Sequence, residues 1–216
     1  MVRKRTFFLT TLIFTLLLGA CAPAAVATPI AEENTSTADL SGIKTYLLDK
    51  SAQLTGSSKS LKEASDKYYS LAEAAGFDYA AMWESNSAEV SAALTDAKSA
   101  WMAASPLYEQ MEGIVAGTPS LAEYDVILDA GAAGNEDPEN AAPFDLTLPD
   151  GRVLPKPGNL FGVLESTLWG TYAEFTTGID ADLDGNGTVD FGEKLPDANV
   201  LKAGADTLDK YTTELR

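Results

Sequence analysis

Hydrophobic residues between positions 40 and 75 recur at steps of three, four and seven residues, as they do on one face of an α-helix. The segment Gly56-Ser57-Ser58 interrupts this pattern, which predicts two helices joined by a turn. Another amphipathic stretch follows Asn86, and Pro106 predicts a kink or a restart within it. The first half of the chain is therefore predicted to be helical.

The composition changes to Gly, Pro, Asn and Asp between residues 131 and 158, where the helical periodicity is lost. Inside this insertion, two short apolar runs at 144–148 and 152–154 flank a Pro-Asp-Gly turn. This arrangement predicts a small β-hairpin, and because two strands alone are marginally stable, the hairpin is expected to lie on the helices.

Helical spacing returns in a broad apolar stripe at residues 160–175 and again after Pro196, where Asp197 is a candidate N-cap. The last pattern is still periodic at Arg216, which leaves a longer chain open. The predicted fold class is all-α: a helical bundle over residues 39–216 with a Gly/Pro-rich insertion that contains a small β-hairpin. Aromatic residues in such a stripe are expected to belong to the core.

The amino terminus has the pattern of an export signal. Three basic residues, Arg3 to Arg5, precede an apolar run that is too short to span a bilayer, and small residues follow it. We therefore predict a signal peptide at residues 1–20. The segment Leu18-Gly19-Ala20-Cys21 resembles the lipobox of bacterial lipoproteins, which implies that Cys21 carries a lipid anchor; the alternative is an unlipidated export signal. Residues 21–38 are predicted to be a flexible tether.

The composition excludes several kinds of chemistry. The 216 residues include no His and one Cys, so a His-dependent triad, a His-ligated zinc site and a disulfide within the chain are impossible. Lys and Arg number 15 against 32 Asp and Glu, and cleavage after residue 20 would leave 12 basic residues and a formal charge of −20. A protein with this negative charge repels nucleic acid and attracts cations. The alternative is that the negative charge only keeps an exported protein soluble.

Residues 182–193 read Asp-Leu-Asp-Gly-Asn-Gly-Thr-Val-Asp-Phe-Gly-Glu. Oxygen-bearing side chains at loop positions one, three, five and nine, with glycine at six and glutamate at twelve, form the pattern of an EF-hand calcium loop. The predicted calcium ligands are Asp182, Asp184, Asn186, the carbonyl of Thr188, Asp190 (directly or through a water) and Glu193. Gly187 would permit the sharp reversal, and Val189 is expected to anchor the loop to the core. The alternative is an acidic surface turn.

The surroundings of this loop favour a structural calcium site over a regulatory sensor. Pro196 allows at most a short outgoing helix, and the sequence contains no second loop of the same pattern. Sensors act by reorienting a pair of long helices around the loop. Calcium outside cells is concentrated enough to fill a weak site, with a dissociation constant of about 10⁻⁴–10⁻³ M.

Three segments of the helical body resemble the imelysin family and its EfeO-like relatives, exported helical proteins associated with iron acquisition, and related algal iron-assimilation proteins. These segments are 100–112, with Trp101 and Tyr-Glu…Glu; 127–130, which reads Ile-Leu-Asp-Ala; and 161–170, which ends in Leu-Trp-Gly. The resemblance covers roughly residues 40–172. The family's His would fall at Gly162, so the imidazole is missing here.

The resemblance implies a second metal site at Glu112, Asp129, Glu165 and Tyr108. Such oxygen ligands suit ferric iron or another hard cation. The alternative is that the two glutamates are solvated or paired with Lys or Arg. The family name has also been attached to peptidase activity, but the sequence offers no nucleophile with a base, so we expect no enzyme.

Together these features predict a lipid-anchored, calcium-binding protein of the cell envelope, in the periplasm or on the outer surface, that captures or delivers iron. Its expected partners are metal ions and the membrane, reached through the lipid anchor, and not nucleic acid. The alternative is a structural or interaction module, rigidified by calcium, whose ligand is another envelope protein.

Overall fold

The computed structural model describes residues 38–216, and residues 39–216 form one compact unit. The predicted signal peptide, Cys21 and the predicted tether up to residue 37 lie outside the described residues. Among residues 38–216, no helix combines the length and the apolar character that a bilayer span needs.

The described chain is mostly helical, as predicted, with 63% of its residues in helices. The five α-helices are α1 (Ser41–Ala74), α2 (Tyr79–Gly117), α3 (Ala122–Asp125), α4 (Leu160–Leu168) and α5 (Ala198–Leu215). A π-helical turn (Val126–Ala130) follows α3, and a 3-10 turn (Ala173–Phe175) follows α4. Two antiparallel strand pairs complete the fold: β1 (Leu146–Thr147) with β2 (Val153–Leu154), and β3 (Thr176–Asp180) with β4 (Lys194–Pro196).

The prediction of a turn at Gly56-Ser57-Ser58 is wrong, because α1 runs through this segment without a break. Ser58 is fully buried, and its hydroxyl lies 2.7 Å from the Thr212 hydroxyl of α5. Packing between α1 and α5 thus outweighs the weak helix propensity of Gly and Ser, which amounts to about 1 kcal/mol for glycine.

The helix predicted after Asn86 begins earlier, at Tyr79, where the Asp78 carboxylate caps it by accepting a hydrogen bond from the Ala81 amide. Asn86 marks a kink, since its backbone is non-helical with φ −138°. The helix does not restart at Pro106, which lies inside it. Proline removes one backbone donor, and a helix of this length with a buried face can tolerate the loss.

The core lies where α1 packs against α2 and α5, with α4 closing one side. Tyr68 of α1 is fully buried, and its hydroxyl donates to the Pro196 carbonyl at 2.8 Å, which fixes β4 against α1. The apolar stripe of α4 contributes Phe161, Leu164 and Leu168 to this core, as expected for aromatic and aliphatic residues at helical spacing.

The predicted β-hairpin in the insertion is confirmed, with Leu146 opposite Leu154. It packs on α5 through a small apolar cluster that includes Leu148 and Val200. The sequence predicts at most a short helix after Glu193, and the structure has none there. Instead β4 begins at Lys194 and pairs with β3, so the loop connects two strands. Asp197 caps α5, as predicted, by accepting from the Asn199 amide at 2.8 Å.

Candidate metal centres

The loop between β3 and β4 brings three of its predicted ligands together. Carboxylate oxygens of Asp182, Asp184 and Glu193 lie within 4.8 Å of one another. Like charges at this distance repel, and the cost falls when a cation lies among them. The loop pattern also predicts Asp190 as a ligand, and Asp190 is not part of this group.

Glu193 lies at the base of the cluster and is only 6% exposed. One of its carboxylate oxygens accepts hydrogen bonds from the amides of Leu183 (2.9 Å) and Asp184 (3.2 Å), and the other accepts from the Asp190 amide (2.6 Å). These backbone donors partly compensate its buried charge and hold both ends of the loop around one side chain.

Asp182 organises the other side of the loop. Its two carboxylate oxygens accept from the amides of Asn186 (3.0 Å) and Gly187 (2.8 Å). Gly187 has φ +88°, a conformation that favours glycine, which explains its place at the reversal. The remaining predicted ligands, Thr188 and Asp190, are exposed and take part in a hydrogen-bond network with the Asn186 side chain.

Contacts from α2 and from Trp169, the residue that follows α4, fix the carboxyl-terminal end of the loop. The Lys98 ammonium donates to the Gly192 carbonyl at 2.8 Å. Burial lowers the pKa of Lys98, and the nearby Glu193 charge opposes this shift. Gly192 has φ +86°, and a Cβ atom there would lie 2.8 Å from Cδ1 of Trp169.

The expectation that Val189 anchors the loop is wrong, because Val189 is 51% exposed and Phe191 is 80% exposed.

A second group of carboxylates lies at the carboxyl-terminal half of α2. Oxygens of Glu109, Glu112 and Asp129 lie within 4.8 Å of one another. Burial and the charges of Glu109, Glu112 and Asp125 raise the pKa of Asp129 to about 6. Among residues 38–216, none of these carboxylates has a Lys or Arg nitrogen within 4.0 Å.

Two of the four residues predicted for the second site, Glu112 and Asp129, belong to this group. Glu165 does not, and its side chain is exposed on α4, so the prediction that it joins them is wrong. Tyr108 is buried, and its hydroxyl donates to the Asp125 carboxylate at 2.7 Å. Burial and this neighbouring carboxylate raise the pKa of Tyr108, so its hydroxyl keeps its proton at neutral pH.

Glu109, Asp125 and Lys98 were not predicted as site residues, although Glu109 belongs to the Tyr-Glu…Glu motif. Glu109 and Glu112 are three residues apart on one helix, a spacing that places both on the same face and could have indicated the pair. Asp125 and Lys98 have no comparable local signal. They are found only when α3 and the acidic loop have been placed against α2.

The segments that carry the imelysin resemblance pack against one another. The Trp101 ring lies edge-on to Phe161 and Trp169, at centroid distances of 6.4 and 5.1 Å, and its indole nitrogen donates to the Phe161 carbonyl at 3.1 Å. Comparison of the chain with protein-family models, curated proteins and solved structures found no match. The resemblances to an EF-hand loop, a lipobox and the imelysin family therefore stay predictions.

Proposed function

We propose that the chain is a calcium-binding protein of the cell envelope, with its calcium site in the loop 182–193. The observation that carries this proposal is the convergence of the Asp182, Asp184 and Glu193 carboxylates within 4.8 Å in a loop whose two ends are joined by β3 and β4. Calcium takes six to eight oxygen ligands at about 2.3–2.6 Å, and the six predicted ligand residues of the loop carry oxygens of that kind.

The calcium site would be structural. A sensor needs two helices whose angle changes on binding, whereas this loop connects paired strands, and β4 is followed at once by the capped helix α5. Calcium bound there would hold the loop and the start of α5 together. It would stabilise the folded state by mass action, by about 1.4 kcal/mol at ten times the dissociation constant.

We further propose that the second carboxylate group takes a hard cation, with ferric iron the expected one. The support is the convergence of three oxygen ligands, together with the raised pKa of Asp129, which reflects burial first and then the neighbouring negative charges that a cation would offset. This part of the proposal also rests on the resemblance to the imelysin family. If the resemblance holds, the lipid-anchored protein would capture or deliver iron at the envelope.

One experiment tests both metal sites. The chain is purified with a chelator, the chelator is removed, and thermal melting is followed by circular dichroism with added calcium and, separately, with ferric citrate. Calcium at ten times its dissociation constant is expected to raise the midpoint by about 3–5 °C. Glu193→Gln should abolish that rise, and Glu112→Gln should abolish only the response to iron. Glu84→Gln, an exposed glutamate of α2 outside both clusters, is the control for the change of charge.

The alternative, a structural or interaction module, is favoured by one observation. Val189 and Phe191 are exposed on the same loop as the proposed calcium ligands, where a protein partner could cover them. If iron leaves the melting curve unchanged while calcium raises the midpoint, iron capture is contradicted and the module is favoured. If neither ion changes the curve, both proposals fail.

A further inference from the structure

A cavity of about 360 Å³ lies between the insertion and α4, and none of its lining residues belongs to either carboxylate cluster. Its walls come from three segments: residues 131–136, residues 154–159 and the stretch from Gly162 to Phe175. The volume is at the lower end of the range of small-molecule sites, roughly 300–1,000 Å³. The cavity thus has room for a ligand of about the size of one amino acid.

Hydrogen bonds between the two loop segments build this cavity. The Gly134 amide donates to the Lys156 carbonyl at 2.9 Å, and the Asn159 backbone and side-chain amides both donate to the Gly131 carbonyl, at 2.9 and 3.0 Å. Lys156, which stands between two prolines, has φ +43°, and its amide donates to the Asp145 carboxylate at 3.0 Å. A non-glycine residue keeps such a conformation only where its surroundings hold it, so the wall is pre-organised.

The cavity has an apolar interior and a charged rim. Leu154, Pro157 and Tyr172 are half-buried and provide apolar surface to the cavity. Beneath them Val163 and Phe175 belong to a packed apolar cluster, and the Tyr172 ring lies against Phe175 at a centroid distance of 4.7 Å. The charged lining residues are Lys156, Glu136 and Glu174, and all three are exposed. None of them forms a salt bridge within residues 38–216.

We propose that this cavity binds a free α-amino acid with an apolar side chain. The carboxylate of such a ligand would pair with Lys156, its ammonium with Glu136 or Glu174, and its side chain would cover the apolar interior. The cavity is lined by two glutamates and one lysine, and this excess of negative charge disfavours a simple anion such as phosphate. A neutral sugar would leave hydroxyl groups against the apolar surface of Leu154 and Pro157 without partners. This inference does not depend on metal binding at either carboxylate cluster.

The test is a titration of the full chain, purified in mild detergent and labelled with ¹⁵N, with L-leucine and L-phenylalanine, followed by amide chemical shifts. The shifts are expected to be concentrated at residues 131–136, 154–159 and 162–175. Leucinamide, which lacks the carboxylate, and N-acetyl-leucine, which lacks the ammonium, should each bind more weakly than leucine. Their affinities are expected to fall by roughly twofold to fivefold or more, as for the loss of one exposed ion pair.

Matched variants assign the charges. Lys156→Gln is expected to weaken leucine binding without weakening leucinamide binding, and Glu136→Gln/Glu174→Gln is expected to weaken leucine without weakening N-acetyl-leucine. Lys44→Gln and Glu84→Gln change the same charges at exposed positions of α1 and α2 and should have no effect. The amide spectrum of each variant also shows whether it folds.

Two results would overturn the proposal. One is the absence of shifts at these residues with 20 mM of either amino acid, since a site weaker than that has no specificity for the ligand. The other is equal binding of leucine, leucinamide and N-acetyl-leucine, since that would make the cavity an apolar site with no preference for a zwitterion. Because the double variant Glu136→Gln/Glu174→Gln and the single variant Lys156→Gln are separate proteins, misfolding of one still leaves the other charge tested.

Discussion

Replacing Asp129 with Asn is expected to stabilise the protein at neutral pH. The folded state raises the pKa of Asp129 to about 6 from an ordinary value of 3.8, through burial and the charges of Glu109, Glu112 and Asp125. The folded protein therefore holds this proton more tightly than the unfolded chain does. The stabilisation associated with the proton is complete below about pH 4 and is lost as the pH rises through 6.

The size of the effect follows from the same difference in pKa. It corresponds to at most about 3 kcal/mol of unfolding free energy, since each tenfold change in proton affinity is 1.36 kcal/mol. The side chain is only half-buried and solvent screens its neighbours, so we expect about 1–2 kcal/mol. At pH 7.5, Asp129→Asn should gain this amount, because it removes a repelled charge while keeping the shape of the side chain.

The assay is urea unfolding at pH 4, 5.5 and 7.5 in the presence of a chelator. Asp129→Asn should leave the unfolding free energy almost unchanged at pH 4, raise it at pH 7.5 and flatten the pH dependence between them. Asp49→Asn is the control, since Asp49 is an exposed residue of α1 whose carboxylate accepts from Gln53 alone among residues 38–216. If Asp129→Asn is no more stable than the parent at pH 7.5, the repulsion inferred for this cluster is absent.

Three further predictions concern single side chains. Gly192→Ala should cost about 2–3 kcal/mol in urea unfolding, because its Cβ would meet Trp169 and its φ is positive; an unchanged midpoint would contradict this contact. Tyr108→Phe should lower stability by about 1.5–3 kcal/mol in thermal melting, since it leaves the buried Asp125 carboxylate without its donor, and a neutral outcome would show that water replaces the hydroxyl. Glu193→Gln should cost about 1.5–3 kcal/mol even without calcium, because an amide cannot accept from all three backbone donors; stability equal to the parent in chelator would refute that role.

Most of the helices and the hairpin could be predicted because the residues that specify them lie within the elements or next to them in the sequence. The apolar spacing along α1, the Asp197 cap and the Pro-Asp-Gly turn each lie within a few residues of the element that they specify. The failure at Gly56-Ser57-Ser58 has the opposite cause. There the deciding contact is between Ser58 and Thr212, which are 154 residues apart. The helix propensities of residues near position 58 carry no information about such a distant contact.

The candidate sites show the same division. The spacing of Asp182, Asp184 and Glu193 indicated their convergence, since a twelve-residue loop with glycine at the reversal leaves few other arrangements. The strands on either side of the loop were not predicted, because β3 pairs with β4 across thirteen intervening residues, 181–193, and the proline of β4 read as a helix breaker. That pairing also explains why Val189 points outward: β3 and β4 fix the loop without help from its side chain.

Isothermal titration calorimetry with the full chain measures directly whether the loop 182–193 binds calcium. We expect one ion per chain, with a dissociation constant of about 10⁻⁴–10⁻³ M, and no binding after the double substitution Asp184→Asn/Glu193→Gln. Absence of heat up to 10 mM calcium, together with a melting midpoint that calcium does not change, would contradict it. The loop 182–193 would then be an acidic turn held by its own backbone hydrogen bonds.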